Sequence, residues 1–177
     1  MNLIERIRPV TQASQDQKWY VLRVKARHEK IVEKLLDKKG VTIFLPVRKI
    51  QRKWSDRKKM VTFPLFPGYL FVFTKISQKR EILTVNGVVQ IVGKPSPVSV
   101  PVEQIDSIRK FVELKVEIDP YPHYTPGRRV EVRRGVFKGI TGVLERKKGK
   151  YRLVINIDLI QQSASVEIDA DDVVLCD

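Results

Sequence analysis

Acid–base and nucleophilic chemistry needs titratable side chains held within reach of one another, and this chain offers few. Its 177 residues include two histidines and one cysteine. His28 stands beside Glu29, but adjacent helical residues point roughly 100° apart and do not face each other. His123 falls in a different predicted element, and no zinc-protease, nucleophile-elbow or phosphate-loop motif occurs. The lone Cys176 excludes an internal disulfide and a cysteine-built metal cluster. The pattern predicts no active site, no cofactor and no metal.

Charge and aromatic surface are what the chain offers instead. The formal net charge is +14, the footprint of a protein that works beside a polyanion. Residues 1–118 hold 24 Lys and Arg against 11 Asp and Glu, whereas residues 119–177 hold 10 against 9, so the polyanion is expected against the first part. Seven of the twelve residues 48–59 are basic, with Trp54 among them. Solvated surface is the bland reading of such runs; the functional one is contact with a nucleic-acid backbone, whose affinity falls with salt by about 0.9 log units per neutralised phosphate on duplex DNA. The predicted nucleic-acid residues are Lys25, Arg27, Lys30, Lys38, Lys39, Arg52, Lys53, Arg57, Lys58 and Asn86. Lys25, Arg27, Lys38, Lys39 and Asn86 are the candidates to reach base edges.

Two further signatures concern large partners. FPLFPGYLFV, residues 63–72, packs aromatics and prolines around Gly68. If Leu70 and Val72 point inward, strand alternation sends Tyr69, Phe71 and Phe73 to the opposite face, where an aromatic patch rimmed by charge would suit protein docking. In PGRRVEVRRGVFKGITGVLE, residues 126–145, Gly135, Gly139 and Gly142 suit turns and close strand packing. Arg133, Arg134 and Lys138 cluster at that turn, available to RNA or to protein.

The elements that must position these groups are readable. Residues 1–17 read as a loose leader, and 18–115 as an α+β domain with helices packed on an antiparallel sheet. Trp19–Val24 is its first strand; Ile31, Val32, Leu35 and Leu36 mark a helix stopped by Gly40. Strands follow at 41–47, 59–63 and 69–74, the last apolar enough to be central, and the basic run between the first two reads as a loop. Ser77 is expected to cap a short helix through Leu83; a strand at 88–92 and a helix from Pro101 complete the domain. Residues 116–126, with three prolines, read as a stiff linker, and 127–177 as a small β-barrel of short strands. No apolar run of membrane-spanning length occurs and residues 1–18 are too polar for a signal peptide, so a reducing cytoplasm and a monomer are the expectation.

At these motifs the chain resembles the NusG-type transcription elongation factors. Trp19-Tyr20-Val21, LFPGYLFV at 65–72, GVVQIVG at 87–93 and VPVEQI at 100–105 match that family's N-terminal NGN domain, and 130–144 its KOW motif. The resemblance implies an SH3-like KOW barrel and a non-enzymatic mechanism. In it the NGN domain docks the clamp helices of RNA polymerase through Trp19, Tyr20, Phe63, Phe66, Pro67, Tyr69 and Phe71, with the basic surface near upstream or non-template DNA. It further implies that the KOW domain recruits a partner, Rho or a small-subunit ribosomal protein in the housekeeping factor, through Arg133, Arg134, Phe137, Lys138, Leu159 and Ile160. KWSDRKKMVTFPLFPGYLFV, residues 53–72, is closest to the operon-specific antiterminators of the RfaH and UpxY type. Where the housekeeping factor carries Ile-Phe-Gly this chain reads Leu159-Ile160-Gln161, which puts Rho binding in doubt. Alternating Val, Ile and Thr favour a KOW barrel over a helical hairpin. A housekeeping NusG and a ribosomal or free RNA-binding KOW protein stand as alternatives.

Overall fold

Strand β1, Gln17–Val24, alternates between two apolar faces, and the first sheet is built around it. The computed structural model describes residues 16–53, 58–114, 118–123, 127–147 and 149–176. The sheet runs β2 (Thr42–Phe44), β5 (Tyr69–Lys75), β1, β6 (Val88–Ile91), with β7 (Ser99–Val100) also pairing with β1. Every pairing is antiparallel, and β5 is interior as its apolar sequence predicts. Tyr20, Leu22 and Val24 of β1 and Leu70 and Val72 of β5 join Val32 and Leu36 of α1 (Glu29–Lys38) and Ile82 of α2 (Lys79–Leu83) in one core. Helix α1 stops where expected, with Gly40 at φ 74 donating to Asp37 and the Val41 amide donating to Leu36.

The other face carries the partners Trp19↔Phe73, Val21↔Phe71 and Phe44↔Phe71. Phe71 lies 6.0 Å from Phe44 and 6.1 Å, edge-on, from Phe66. Ser77 does not cap the short helix: it sits inside a 3-10 turn, Ile76–Gln78, and the Gln78 side chain accepts from Thr74 Oγ1 at 2.7 Å. A glutamine reaches back across this turn, and the serine hydroxyl is not needed.

Contacts divide the chain into two units, Met1–Val47 with Phe66–Pro101, and Arg48–Leu65 with Val102–Asp177. In the second unit the basic run is a two-stranded hairpin, β3 (Val47–Lys53) with β4 (Lys58–Pro64), where a loop was expected. A six-stranded antiparallel sheet follows in the order β13 (Val173–Leu175), β9 (Arg128–Val132), β10 (Thr141–Lys147), β11 (Lys150–Ile157), β12 (Gln162–Ile168), β8 (Asp119–Pro122). Part of the expected linker is therefore strand β8. Leu153, Val154 and Ile155 of β11 are buried in succession, so this strand is covered on both faces. Helix α3 (Val102–Glu113) packs against it with Ile105, Ile108 and Phe111 buried. A Cβ at Gly142 would sit 2.7 Å from the Val154 carbonyl oxygen, so only glycine admits the observed approach of β10 to β11. Among the described residues no helix is long and apolar enough to cross a membrane.

Candidate functional site

Three loops meet at one end of the first sheet, and backbone bonds tie them. The β1–α1 loop is anchored where Val24 N–H donates to Gly68 O (2.8 Å) and Lys25 N–H to Gly87 O (2.9 Å). Gly68 belongs to the Phe66–Tyr69 turn, closed by Tyr69 N–H to Phe66 O at 3.1 Å, and Gly87 to the loop after α2. This end exposes Lys25, Arg27, Lys30, Pro67 and Asn86. Arg27 is left-handed, φ 62, a conformation costing an L-residue about 1–2 kcal/mol. Such strain at an exposed cation is typical of functional loops.

The predicted nucleic-acid residues thus divide. Lys25, Arg27, Lys30 and Asn86 come together at the three-loop end, whereas Lys38 and Lys39 are exposed at the far end of α1, where Lys39 lies 3.7 Å from Glu81. Lys58 is exposed on β4 of the second unit. Arg57 and Trp54, with the side chains of Arg52 and Lys53, lie outside the described residues.

The aromatic expectation needs correction. Leu70 and Val72 do point to the helix-covered core, and Tyr69, Phe71 and Phe73 do share the opposite face. Tyr20, however, lies on the helix side opposite Val72, because neighbours on a strand cannot share a face. Trp19, Phe66 and Phe71 are buried as well, Phe71 with no exposed area; their rings build the core. What the first unit shows to solvent here is Pro67, exposed, with Tyr69 and Phe73 half-buried. Phe63 is half-buried on β4 of the second unit.

In the second unit, the β9–β10 turn is held by Arg133 N–H to Asp172 O (2.7 Å) and Gly139 N–H to Val132 O (2.8 Å). Arg133, Arg134 and Lys138 are exposed, with Arg133 3.5 Å from Glu131. Phe137 is turned inward, its ring edge-on to Phe111 of α3 at 5.5 Å, and Ile160 is buried beside half-buried Leu159. Phe137 and Ile160 are therefore corrected from surface to core. Val136, 66% exposed, is the apolar residue at this tip that sequence reasoning missed, since nothing in the pattern tells which of Val136 and Phe137 turns inward. His123 bonds Asp158 at 3.0 Å, and Gln104 of α3 donates to the same carboxylate at 2.9 Å, so this histidine ties the end of β8 to the turn after β11. Glu167 is held below its usual range by the Lys150 ammonium, which donates to it at 2.8 Å. Among the described residues no three His, Cys, Asp or Glu side chains are grouped to hold a metal ion.

Residues 17–109, just over half of the chain, match the family model described as transcription termination factor nusG. The chain belongs to the NusG family. NusG-family transcription factors are non-enzymatic, in keeping with a site of cations, a turn and half-buried rings. The chain is 27% identical over 155 residues to the transcription termination/antitermination protein NusG of Chlamydia pneumoniae, covering 79% of this chain and 85% of that one. It is 26% identical over 176 residues to that of Halalkalibacterium halodurans, covering 87% and 96%. The solved structure "Domain interaction in Thermotoga maritima NusG" is similar in fold, with TM-score 0.52, 21% identity and coverage of 91% of this chain and 98% of that one.

Proposed function

We propose that this NusG-family chain is an elongation and antitermination factor that rides on RNA polymerase and acts on specific operons. The observation carrying the reading is the three-loop end, where the Pro67–Tyr69 turn stands beside Lys25, Arg27, Lys30 and Asn86. The turn and the half-buried rings of Tyr69 and Phe73 are the proposed docking surface on the clamp helices. Trp19, Phe66 and Phe71 shape it from beneath, while the cations face upstream or non-template DNA. Phosphate contacts from Lys25, Arg27 and Lys30 position the strand, and the Asn86 amide, both donor and acceptor, reads a base edge. The six-stranded sheet is read as the SH3-like KOW barrel, recruiting a small-subunit ribosomal protein or RNA with Arg133, Arg134, Lys138 and Leu159.

The test is in vitro elongation by purified RNA polymerase on a template with a long leader. Full-length yield should rise with the protein present; an unchanged yield refutes the reading. The relatives are named termination/antitermination protein NusG, and a housekeeping NusG acting genome-wide is the second reading. Chromatin occupancy separates the two, across all genes for the housekeeping role and over a few operons for the specific one.

A further inference from the structure

Glu29 is a carboxylate in the first turn of α1, only 6% exposed. Its Oε1 accepts the Gly68 N–H at 2.7 Å, across 39 residues of sequence. Both peptide groups that flank the Gly68 Cα are consequently held, the N–H by Glu29 and the carbonyl by the Val24 N–H. The next amide, Lys25, holds Gly87 O. Gly87 in turn lies so close to α1 that a Cβ there would meet Val32 Cγ2 at 2.9 Å and His28 Cδ2 at 3.2 Å. One carboxylate at the start of α1 thereby sets the turn that presents Pro67 and Tyr69. Through the Val24–Lys25 backbone it also sets the loop that presents Lys25 and Arg27.

We infer that Glu29 is a positioning residue coupling the two surfaces, so that the apolar turn and the cationic loop take their binding shapes together. The inference rests on the proposed function for what the surfaces bind, and on the bond network alone for the coupling. A half-buried Gly68 N–H left without an acceptor within reach would be costly.

Two variants of the full-length chain separate geometry from charge. Glu29→Asp keeps the charge but withdraws the carboxylate by one methylene; Glu29→Gln keeps the reach and an acceptor oxygen but removes the charge. Residue-resolved amide exchange should show Gly68, Val24 and Lys25 exchanging together about tenfold or more faster in Glu29→Asp, with Glu29→Gln close to wild type. Retention of polymerase and affinity for a 20-nucleotide single-stranded DNA should both fall at least about fivefold in Glu29→Asp and be rescued in Glu29→Gln. Faster exchange at Gly68 alone overturns the coupling, as does tighter DNA binding by Glu29→Gln with Glu29→Asp unchanged, which would make Glu29 a mere charge. Global unfolding of Glu29→Asp overturns it too, because the residue would then support the whole unit. If the wild type binds neither polymerase nor DNA, the proposed function fails, while the exchange pattern still decides the role of Glu29.

Discussion

Replacing Phe71 by alanine separates core from surface in the aromatic stretch. The ring has no exposed area and lies 6.0 Å from Phe44 and 6.1 Å from Phe66. Removing a buried phenyl group costs about 3–5 kcal/mol, the lost transfer energy plus the cavity left behind. With a urea dependence of about 2 kcal/mol per molar, the unfolding midpoint should drop by about 1.5–2.5 M. Tyr69→Ala removes a half-buried ring from the same face and should cost no more than about 2 kcal/mol. Urea melts of the two variants, paired with polymerase retention at low temperature, distinguish the roles: Tyr69→Ala is expected to stay folded yet lose polymerase, and Phe71→Ala to lose stability first. A Phe71→Ala cost below about 1 kcal/mol would show that the ring is not the packed core residue described, and the assignment of faces would fall with it.

Arg27→Gly should raise stability by about 1 kcal/mol by removing the left-handed strain, while weakening DNA binding; a melt and a gel-shift titration check both arms. Lys25→Ala should flatten the salt dependence of duplex binding by about 0.9 in log–log slope, the signature of one phosphate contact. Gly142→Ala should destabilise the second unit by about 1–3 kcal/mol, because its Cβ meets the Val154 carbonyl at 2.7 Å, read by thermal unfolding. Since Lys150 lowers the Glu167 pKa from its ordinary 4.5, the stability this carboxylate adds is present above pH 4.5 and is lost as the pH falls through the lowered value. Glu167→Gln should therefore shallow the acid limb of the melting profile.

Much of the first sheet was legible because its signals are local. Gly40 had to end a helix, and the apolar run at 69–74 had to be central. Tyr20 and Trp19 are neighbours on β1 and so fall on opposite faces, and the burial of Phe71 is not legible because period-2 patterning names a face without saying whether it is covered. The hairpin β3–β4 is hidden by its own charge, and Val47 and Ile50, three residues apart, give β3 no apolar alternation to announce it. Strand β8 reads as linker on account of Pro120 and Pro122; it lies at the margin of its sheet beside β12, where proline is tolerated because one side of the strand needs no donor. The stripe on α3 announces burial without naming what it packs against, and the structure groups it with β11. Nothing near Glu29 announces its bond to Gly68, since the acceptor and the donor are distant in sequence and common in type.

Because the units are interleaved along the chain, vectorial synthesis begins the second before it has finished the first. Strand β1 is translated early, yet β5, β6 and β7, all of which pair with it, are not complete until Lys75, Ile91 and Val100. At roughly 5–20 residues per second, the nascent Trp19–Val24 segment waits roughly 4–15 s for its last neighbour. The hairpin at 47–64 emerges during that interval and belongs to the unit whose sheet is made last. The N-terminal fragment of a cut at residues 116–126 would hold all of the first unit with two pieces of the second, so dissection of this protein calls for breaks that respect three-dimensional grouping in place of linear order.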